Sequence, residues 1–189
     1  MINWSQHPKI NLAVQQLHLQ GVIAYPTEAV WGLGCDPYSH SAVARILALK
    51  RRPERKGLIL IGCDWQQFAP FIDCLDKQQL TRLKKNYQKP ITWLIPHNGA
   101  APPWIVGEYN TLAVRVTSHP VAASLCRLFG GPMVSTSANP QGLPAALTGL
   151  KVNCYFNGRL NYQTSGSVGS SASPSEIRHL LTGEVIRQG

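Results

Sequence analysis

The segment KRRPERKGLILIG, residues 50–62, joins a cluster of cationic side chains to a continuous apolar run. The run GLILIG has the length of a β-strand, and unbroken apolarity is typical of a strand that is covered on both faces. The preceding residues 41–50 carry apolar side chains at helical spacing. A helix that leads into a doubly covered strand predicts an α/β fold around one central sheet.

The rest of the chain continues this mixture of helical and strand patterns, and we predict one domain over residues 8–189. Asp76 and Gln79 stand in capping-box order before one helical pattern, and Gly130 ends another. The predicted helices cover residues 8–20, 41–50, 76–87 and 120–130, and the predicted strands cover residues 22–26, 57–62, 91–95, 111–116 and 132–136.

The composition narrows the classes of function. Of the 189 residues, 44% are hydrophobic, which excludes a disordered tail, and no apolar run approaches the ~20 residues of a membrane span. The N-terminal residues lack the pattern of a secretion signal, so we expect a cytoplasmic protein without membrane contact. A net charge of +9 suits RNA, nucleotides or other phosphate-rich partners. The five cysteines form no C-x-x-C pair, which favours reduced thiols and no metal site.

Familiar catalytic motifs are missing from the sequence. There is no P-loop, no G-x-S-x-G and no H-E-x-x-H pattern. GLGCDP begins like a dinucleotide fingerprint, but Pro37 occupies the position of its third glycine. We therefore expect Gly32 and Gly34 to form a tight turn.

Lys50 and Arg52 are the first candidate site residues. Because a residue before proline avoids the helical conformation, we expect the helix to end near Lys50 and residues 50–52 to be extended. An extended backbone places Lys50 and Arg52 on one side and Arg51 on the other. Their charge suits a phosphate ligand, but cations also stabilise the C-terminus of a helix. The spacing leaves both interpretations open.

Ser135, Ser137 and Asn139 share one side of a segment that follows a predicted strand. Side chains at the carboxyl ends of strands often border the ligand crevice of an α/β sheet, and Ser and Asn can orient phosphate or ribose oxygens. A polar turn is the alternative, and the STSAN stretch taken alone favours it.

Arg115 stands in the middle of TLAVRVT, on the strand face that also carries Thr111. Burying an arginine is costly without an anionic partner. The anionic partner of Arg115 could be a carboxylate in a structural salt bridge or a bound ligand, and the sequence leaves both open. With 9 acidic residues against 18 Lys and Arg, ligand binding is a reasonable hypothesis.

The stretch TSGSVGSSAS, residues 164–173, is a Ser/Gly-rich loop inside the predicted domain, and its composition predicts flexibility. We predict a mobile cover over a ligand. A passive connection is the alternative, and composition leaves both open.

Four stretches, YPTEAVWGLGCDP, Lys50-x-Arg52, LAVRVTSHP and STSANPQG, resemble the YrdC-like threonylcarbamoyl-AMP synthases, in particular their short single-domain bacterial branch. The resemblance implies a twisted mixed sheet flanked by helices, with a concave basic crevice. It implies a nucleotidyltransferase that converts L-threonine, bicarbonate and ATP into threonylcarbamoyl-adenylate and pyrophosphate. The adenylate would serve the t6A37 modification of ANN-decoding tRNAs, so the implied partners are t6A-pathway proteins and tRNA at the basic surface.

The same resemblance implies roles for individual residues. Lys50 and Arg52 would be catalytic through their charge, because this reaction needs positioning and neutralisation more than acid–base groups. No tightly bound cofactor is implied, and Mg²⁺ would arrive with ATP. The implied substrate-binding residues are Thr27, Thr111, Arg115 and Ser175, and the implied nucleotide-binding residues are Lys50, Arg52, Lys56, Ser135, Ser137, Asn139 and Arg187.

A non-catalytic RNA-binding or ribosome-maturation factor is the competing hypothesis. A basic helix around Arg82, Lys84, Lys85 and Lys89 has Tyr87 and Trp93 nearby. The cations could contact phosphates, and an aromatic ring could stack a base. A solvated helix face is the ordinary explanation of the same residues.

Overall fold

The computed structural model describes residues 3–87, 89–171 and 173–189, and its strands form one mixed sheet. In chain order the strands are β1 (Ile23–Pro26), β2 (Trp31–Gly34), β3 (Ile59–Gly62), β4 (Ile91–Pro96), β5 (Thr111–Val116), β6 (Met133–Ser137), β7 (Tyr162–Gln163), β8 (Glu176–His179) and β9 (Val185–Arg187). Their order across the sheet is β7-β1-β2-β6-β3-β5-β4-β8-β9.

Both parallel and antiparallel pairs occur in this sheet. β3 and β5 run parallel, as do β4 and β8, whereas β6 is antiparallel to both β2 and β3. The helices are α1 (Pro8–His18), α2 (His40–Lys50), α3 (Ala69–Ile72), α4 (Lys77–Lys84), α5 (Pro103–Val106), α6 (Pro120–Phe129) and α7 (Gly149–Phe156). The predicted mixed α/β fold is confirmed.

The central strand β3 is covered on both faces, as its apolar run predicts. Leu60 packs into a core cluster that includes Phe71 and Trp93. The neighbouring Ile61 packs into a second cluster, which is built from α1, α6 and the other face of the sheet. Leu60 and Ile61 are both fully buried, so solvent reaches neither face of the strand.

The end of α2 differs from the prediction. The helix ends at Lys50, as expected, but residues 50–52 are not extended. Arg51 has a left-handed backbone, with φ 51° and ψ 41°. The Arg52 N–H then donates to the carbonyl oxygen of Leu47 over 2.9 Å. This bond closes the helix in the manner of a Schellman cap, which turns the chain one residue before the pre-proline position.

The glycines of GLGCDP also differ from the prediction. Gly32 and Gly34 lie inside β2 and not in a turn. A Cβ atom on Gly34 would lie 2.8 Å from Cε1 of Tyr25 and 2.7 Å from the carbonyl oxygen of Val134. Glycine is needed there because a neighbouring ring and strand approach the backbone closely.

The ends of the remaining elements follow local signals. The capping box of Asp76 and Gln79 is present at the start of α4, and Gly130 closes α6 with φ +85°. α7 was not predicted, although Thr148 caps its first turn by accepting a hydrogen bond from the Lys151 N–H. In the described ranges, no helix has the length and apolar character needed to cross a bilayer.

Candidate active site

A cavity of about 1150 Å³ is lined by residues of β2, β5, β6 and β8. All but two of the predicted site residues line it. The lining members of the predicted set are Thr27, Arg52, Lys56, Thr111, Arg115, Ser135, Ser137, Ser175 and Arg187. Lys50 and Asn139 are the two exceptions, and they lie directly behind the end of β6.

Arg115 occupies the polar face of β5 together with Thr111, as the alternation predicts. Leu112 and Val114 point the other way and are buried. The Arg115 side chain is only 11% exposed, and its Nη2 lies 3.6 Å from Oε2 of Glu28. A structural ion pair therefore exists, and the arginine still faces the cavity.

Arg115 keeps donors beyond this ion pair. Nη1 donates to Oγ of Ser175 over 3.1 Å, and Ser175 Oγ lies 2.7 Å from Oγ1 of the buried Thr92. Nε of Arg115 is buried without a hydrogen-bond partner among the described residues. An unpaired buried donor on a cation favours an acceptor supplied by a ligand.

Glu28 is the functional candidate that sequence reasoning missed. Its Oε1 accepts hydrogen bonds from the Thr117 hydroxyl over 2.6 Å and from the Ser118 N–H over 2.9 Å, just before α6 begins. Burial opposes its ionisation, but the Arg115 charge and these hydrogen bonds outweigh that effect and lower the pKa of Glu28. The PTE motif contains this residue, but its partners are about ninety positions away, so no local signal reveals its role.

Lys50 is held by neutral oxygens and does not line the cavity. Its Nζ donates to the carbonyl oxygen of Ser137 and, over 2.9 Å, to that of Asn139; Oδ1 of Asn139 is a further acceptor at 3.3 Å. Burial and the nearby Arg52 charge lower the pKa of Lys50 to about 8. We call this arrangement of Lys50, Ser137 and Asn139 the lysine cage. It ties the end of α2 to the end of β6, and the predicted phosphate contact of Lys50 stays a prediction.

Asn139 completes the cage through its own side chain. Oδ1 accepts from the Ser137 hydroxyl over 2.6 Å, and Nδ2 donates to the Leu143 carbonyl oxygen over 2.6 Å. Asn139 thus stabilises a polar turn, the alternative that STSAN favoured. Ser135 and Ser137 still line the cavity, and their role toward a nucleotide stays a prediction.

Arg52 and Lys56 lie at the mouth of the cavity, on the loop after α2. Nε and Nη2 of Arg52 donate to the carbonyl oxygen of Gly57 over 3.3 and 2.9 Å. Burial lowers the pKa of Arg52, but an arginine remains charged at neutral pH. The loop thereby presents two cations to the cavity while its backbone is fixed.

The C-terminal segment reaches the same cavity. Arg187 donates from Nη2 to the carbonyl oxygen of Ser175 over 2.7 Å. Burial and the charge of Arg115 lower the pKa of Arg187, so two guanidinium groups face one space. Like charges held together in this way favour a bound anion.

The Ser/Gly-rich loop is described except for Ala172, which lies outside the described residues. Its Gly169 N–H donates to the Thr27 carbonyl oxygen over 2.9 Å, and Ser171 N–H donates to that of Glu28 over 3.1 Å. The His119 ring nitrogen Nε2 lies 3.0 Å from the Ser167 carbonyl oxygen. These contacts join the loop to the Thr27–Glu28 turn, and its predicted movement over a ligand stays a prediction.

The Thr27 hydroxyl is partly engaged inside its own turn. Oγ1 donates to the carbonyl oxygen of Val30 over 2.7 Å, and the residue is 5% exposed. The oxygen can still accept a hydrogen bond from the cavity, because a hydroxyl has two acceptor lone pairs.

The residues behind the RNA-binding hypothesis do not form one exposed platform. Trp93 is 1% exposed, so it cannot stack a base, and that expectation is wrong. Arg82 donates to the carbonyl oxygens of Leu180 and Leu181 over 2.6 and 3.0 Å. Lys89 and Tyr87 line the cavity instead.

The family model for Sua5, YciO and YrdC proteins, described as "telomere recombination", matches residues 15–189. The chain belongs to this family. The resemblance predicted from the four motif stretches is confirmed.

Members of the Sua5/YciO/YrdC family with known names include close relatives of this chain. A "Threonylcarbamoyl-AMP synthase" of Cellvibrio japonicus is 56% identical over 187 residues, which is 99% of each chain. Another of that name from Stutzerimonas stutzeri is 53% identical over 167 residues, covering 88% of this chain and 90% of the relative.

Solved structures of the family share the fold. P. abyssi Sua5 complexed with L-threonine has a TM-score of 0.83 at 27% identity; the match covers 90% of this chain and 50% of that one. E. coli YciO has a TM-score of 0.82 at 25% identity, with 95% and 88% of the two chains covered.

Proposed function

We propose that the chain is a threonylcarbamoyl-AMP synthase that uses L-threonine, bicarbonate and ATP. The observation that carries this proposal is the cavity against the sheet, where the Arg115–Glu28 pair and further cations face one space. The name shared by relatives that match this chain over nearly its full length supports the same activity.

The amino-acid end of the cavity is proposed to lie around Arg115. The guanidinium can bind the threonine carboxylate, since its Nη1 and Nε atoms are not used by Glu28. Thr27 and Ser175 offer hydroxyl oxygens beside it. A site that hydrogen-bonds the substrate hydroxyl would reject analogues that lack it.

The phosphate end is proposed to lie around Arg52 and Lys56. Threonine condenses with bicarbonate to give a carbamate and water, and a carbamate oxygen then attacks the α-phosphorus of ATP. The P–O bond to the leaving group breaks, and pyrophosphate departs with the electron pair. Arg52, Lys56 and Arg187 would neutralise the charge on the phosphates, which is the main contribution that this chemistry needs.

Magnesium is proposed to arrive with the triphosphate. Two carboxylate side chains line the cavity in the described residues, Glu28 and Glu176. Both are paired with arginines, Glu28 with Arg115 and Glu176 with Arg178 at 2.6 Å. Paired carboxylates are poor sole ligands for a dication, so phosphate oxygens would hold the ion.

The finer biological assignment is also a proposal. The adenylate would be consumed in the t6A37 modification of ANN-decoding tRNAs, in the cytoplasm, by proteins of that pathway. The net charge of +9 supports contact with tRNA during delivery, because counterion release favours basic surfaces on nucleic acid.

The test is pyrophosphate release by the purified protein with ATP, L-threonine and radiolabelled bicarbonate. We expect release only when all three are present, with the label recovered in a nucleotide that yields AMP on hydrolysis. Release without threonine or bicarbonate would contradict the proposal. Salt-sensitive RNA binding without any turnover would favour the RNA-binding factor instead.

A further inference from the structure

Tyr25 reaches across a neighbouring strand to a serine of the cavity. The residue belongs to β1 and is paired with Gly32 of β2, while β6 lies on the far side of β2. Its hydroxyl nevertheless lies 2.8 Å from Oγ of Ser135 on β6. The side chain must therefore pass over β2 to make this contact.

Gly34 of β2 makes room for that passage. A Cβ atom on Gly34 would lie 2.8 Å from Cε1 of Tyr25, closer than such atoms approach in proteins. A Cβ atom on Gly32 would lie 3.4 Å from Cζ, which is an ordinary contact. The second glycine of the G-x-G pattern, which matches no nucleotide fingerprint here, thus serves the ring of Tyr25.

The Tyr25 hydroxyl is the donor in this hydrogen bond. Tyr25 is 0% exposed, and its hydroxyl donates to Oγ of Ser135 over 2.8 Å. Ser135 Oγ is then an acceptor, and its own proton remains to be donated elsewhere. Among the described residues that proton finds no acceptor, while Ser135 lines the cavity.

The place of Ser135 points to the phosphate end. It pairs with Ile59 of β3, two residues after Gly57, whose carbonyl oxygen accepts from Arg52. A nucleotide bound along Arg52 would bring acceptor oxygens toward this side of β6. Phosphate and ribose oxygens accept such a proton readily.

We propose that Tyr25 is a positioning residue which, by donating to Ser135 across β2, directs the Ser135 hydroxyl proton to an acceptor oxygen of the bound nucleotide. This inference rests on the proposed function, because it requires a nucleotide in the cavity. It assigns a role to a tyrosine that is not among the residues lining the cavity.

The experiment combines Tyr25→Phe and Ser135→Ala in a double-mutant cycle. ATP binding is measured by calorimetry without threonine, and the KM for each substrate is measured by pyrophosphate release. Losing one neutral hydrogen bond weakens binding by roughly two- to ten-fold, so we expect Tyr25→Phe to weaken ATP binding about five-fold and to spare the KM for threonine. Tyr155→Phe is the matched control, since it removes a tyrosine hydroxyl bonded to the Pro144 carbonyl oxygen outside the cavity lining.

Coupling between the two residues decides the outcome. If Tyr25 acts through Ser135, Tyr25→Phe changes ATP binding by less than about two-fold in the Ser135→Ala background. Equal losses in both backgrounds, or no loss in either, would overturn the proposal. Should Tyr25→Phe fail to fold, Ser135→Ala alone must still weaken ATP binding, and unchanged binding would overturn the proposal.

Failure of the proposed function gives a different pattern. A wild-type protein that binds ATP but releases no pyrophosphate would contradict the synthase activity. The double-mutant cycle on ATP binding would still test the role of Tyr25. A wild-type protein that binds no ATP would overturn both proposals.

Discussion

Lys50 and Arg115 are both cations with little exposure beside the same cavity, but their charges are compensated in different ways. Lys50 donates to carbonyl and amide oxygens of the lysine cage. Arg115 faces a carboxylate, Glu28, and a hydroxyl, Ser175. Neutral oxygens accept from all three donors of the ammonium group, whereas the larger guanidinium keeps donors for a ligand.

The difference shows that charge and proximity do not by themselves identify a ligand contact. A buried ammonium group with three good acceptors is a structural tie between two elements. A guanidinium with a carboxylate on one side, and with no partner for its Nε in the described part of the chain, is a partly filled site. The two cations therefore predict different consequences when each is replaced.

Replacing Arg115 should have the largest effect on activity. Arg115→Met removes charged hydrogen bonds, worth about 1.5–3 kcal/mol each, and leaves the Glu28 carboxylate without its counter-charge. We expect kcat/KM for threonine to fall about 100-fold or more, measured as pyrophosphate release at varied threonine. Arg127→Met, on the exposed side of α6, is the control and should match wild type. Loss of less than three-fold would remove Arg115 from the site.

Replacing Lys50 should act first on stability. Lys50→Met leaves the Asn139 carbonyl oxygen without its donor, whereas the Ser137 carbonyl oxygen and Asn139 Oδ1 keep one donor each. One buried orphan costs about 1–3 kcal/mol, so we expect a loss of about 2–12 °C in melting temperature.

Arg52→Met is the comparison for Lys50, because Arg52 lines the cavity and Lys50 does not. It should weaken ATP binding about ten-fold with a smaller loss of melting temperature. The opposite ranking, an unchanged melting temperature and a large loss of ATP affinity in Lys50→Met, would mean that Lys50 leaves its cage to bind phosphate.

The carboxylate beside Arg115 should make stability depend on acid pH. The folded-state pKa of Glu28 is lowered below its ordinary value of 4.5, so the unfolded chain binds more protons between those two values. The contribution of Glu28 is therefore present above about pH 4.5 and is lost as the pH falls through the lower folded-state pKa. Urea unfolding of wild type and Glu28→Gln, from neutral to acid pH, gives the free energy of unfolding of each protein as a function of pH. The same pH dependence in both proteins would show that the Glu28–Arg115 pair does not stabilise the fold.

Thr27→Val should have the smallest effect. The hydroxyl bonded to Val30 is lost, which costs about 1 kcal/mol and about 2–4 °C in melting temperature. If the same oxygen also accepts from threonine, threonine binding weakens by a few-fold while ATP binding is spared. Calorimetry with each ligand separates the cases, and a normal threonine affinity would leave Thr27 as a turn cap only.

Local patterns predicted much of the fold and several site residues. The alternation in TLAVRVT placed Arg115 and Thr111 on one face because side chains of a strand alternate with period two. The apolar GLILIG run predicted a doubly covered strand for the same kind of reason. Family motifs then identified residues that line one cavity, without showing how they are arranged there.

The two expectations about backbone shape failed for different reasons. Residues 50–52 were expected to be extended, but a local cap, in which the Arg52 N–H donates to the Leu47 carbonyl oxygen, turns them at Arg51. Gly32 and Gly34 were expected in a turn, but both lie in β2, where Gly34 is needed beneath the Tyr25 ring. In the second case a neighbouring strand overrides the local preference.

The sequence by itself determined the class of fold, the polar face of β5 and the family to which the chain belongs, because strand and helix periods and motif residues are local properties. Only the tertiary structure decided which groups compensate the charge of each buried cation. Lys50 meets Asn139 across 89 positions and Glu28 meets Thr117 across 89 positions. Such partners are brought together by sheet pairing and helix packing, and no short window of sequence contains both members of either pair.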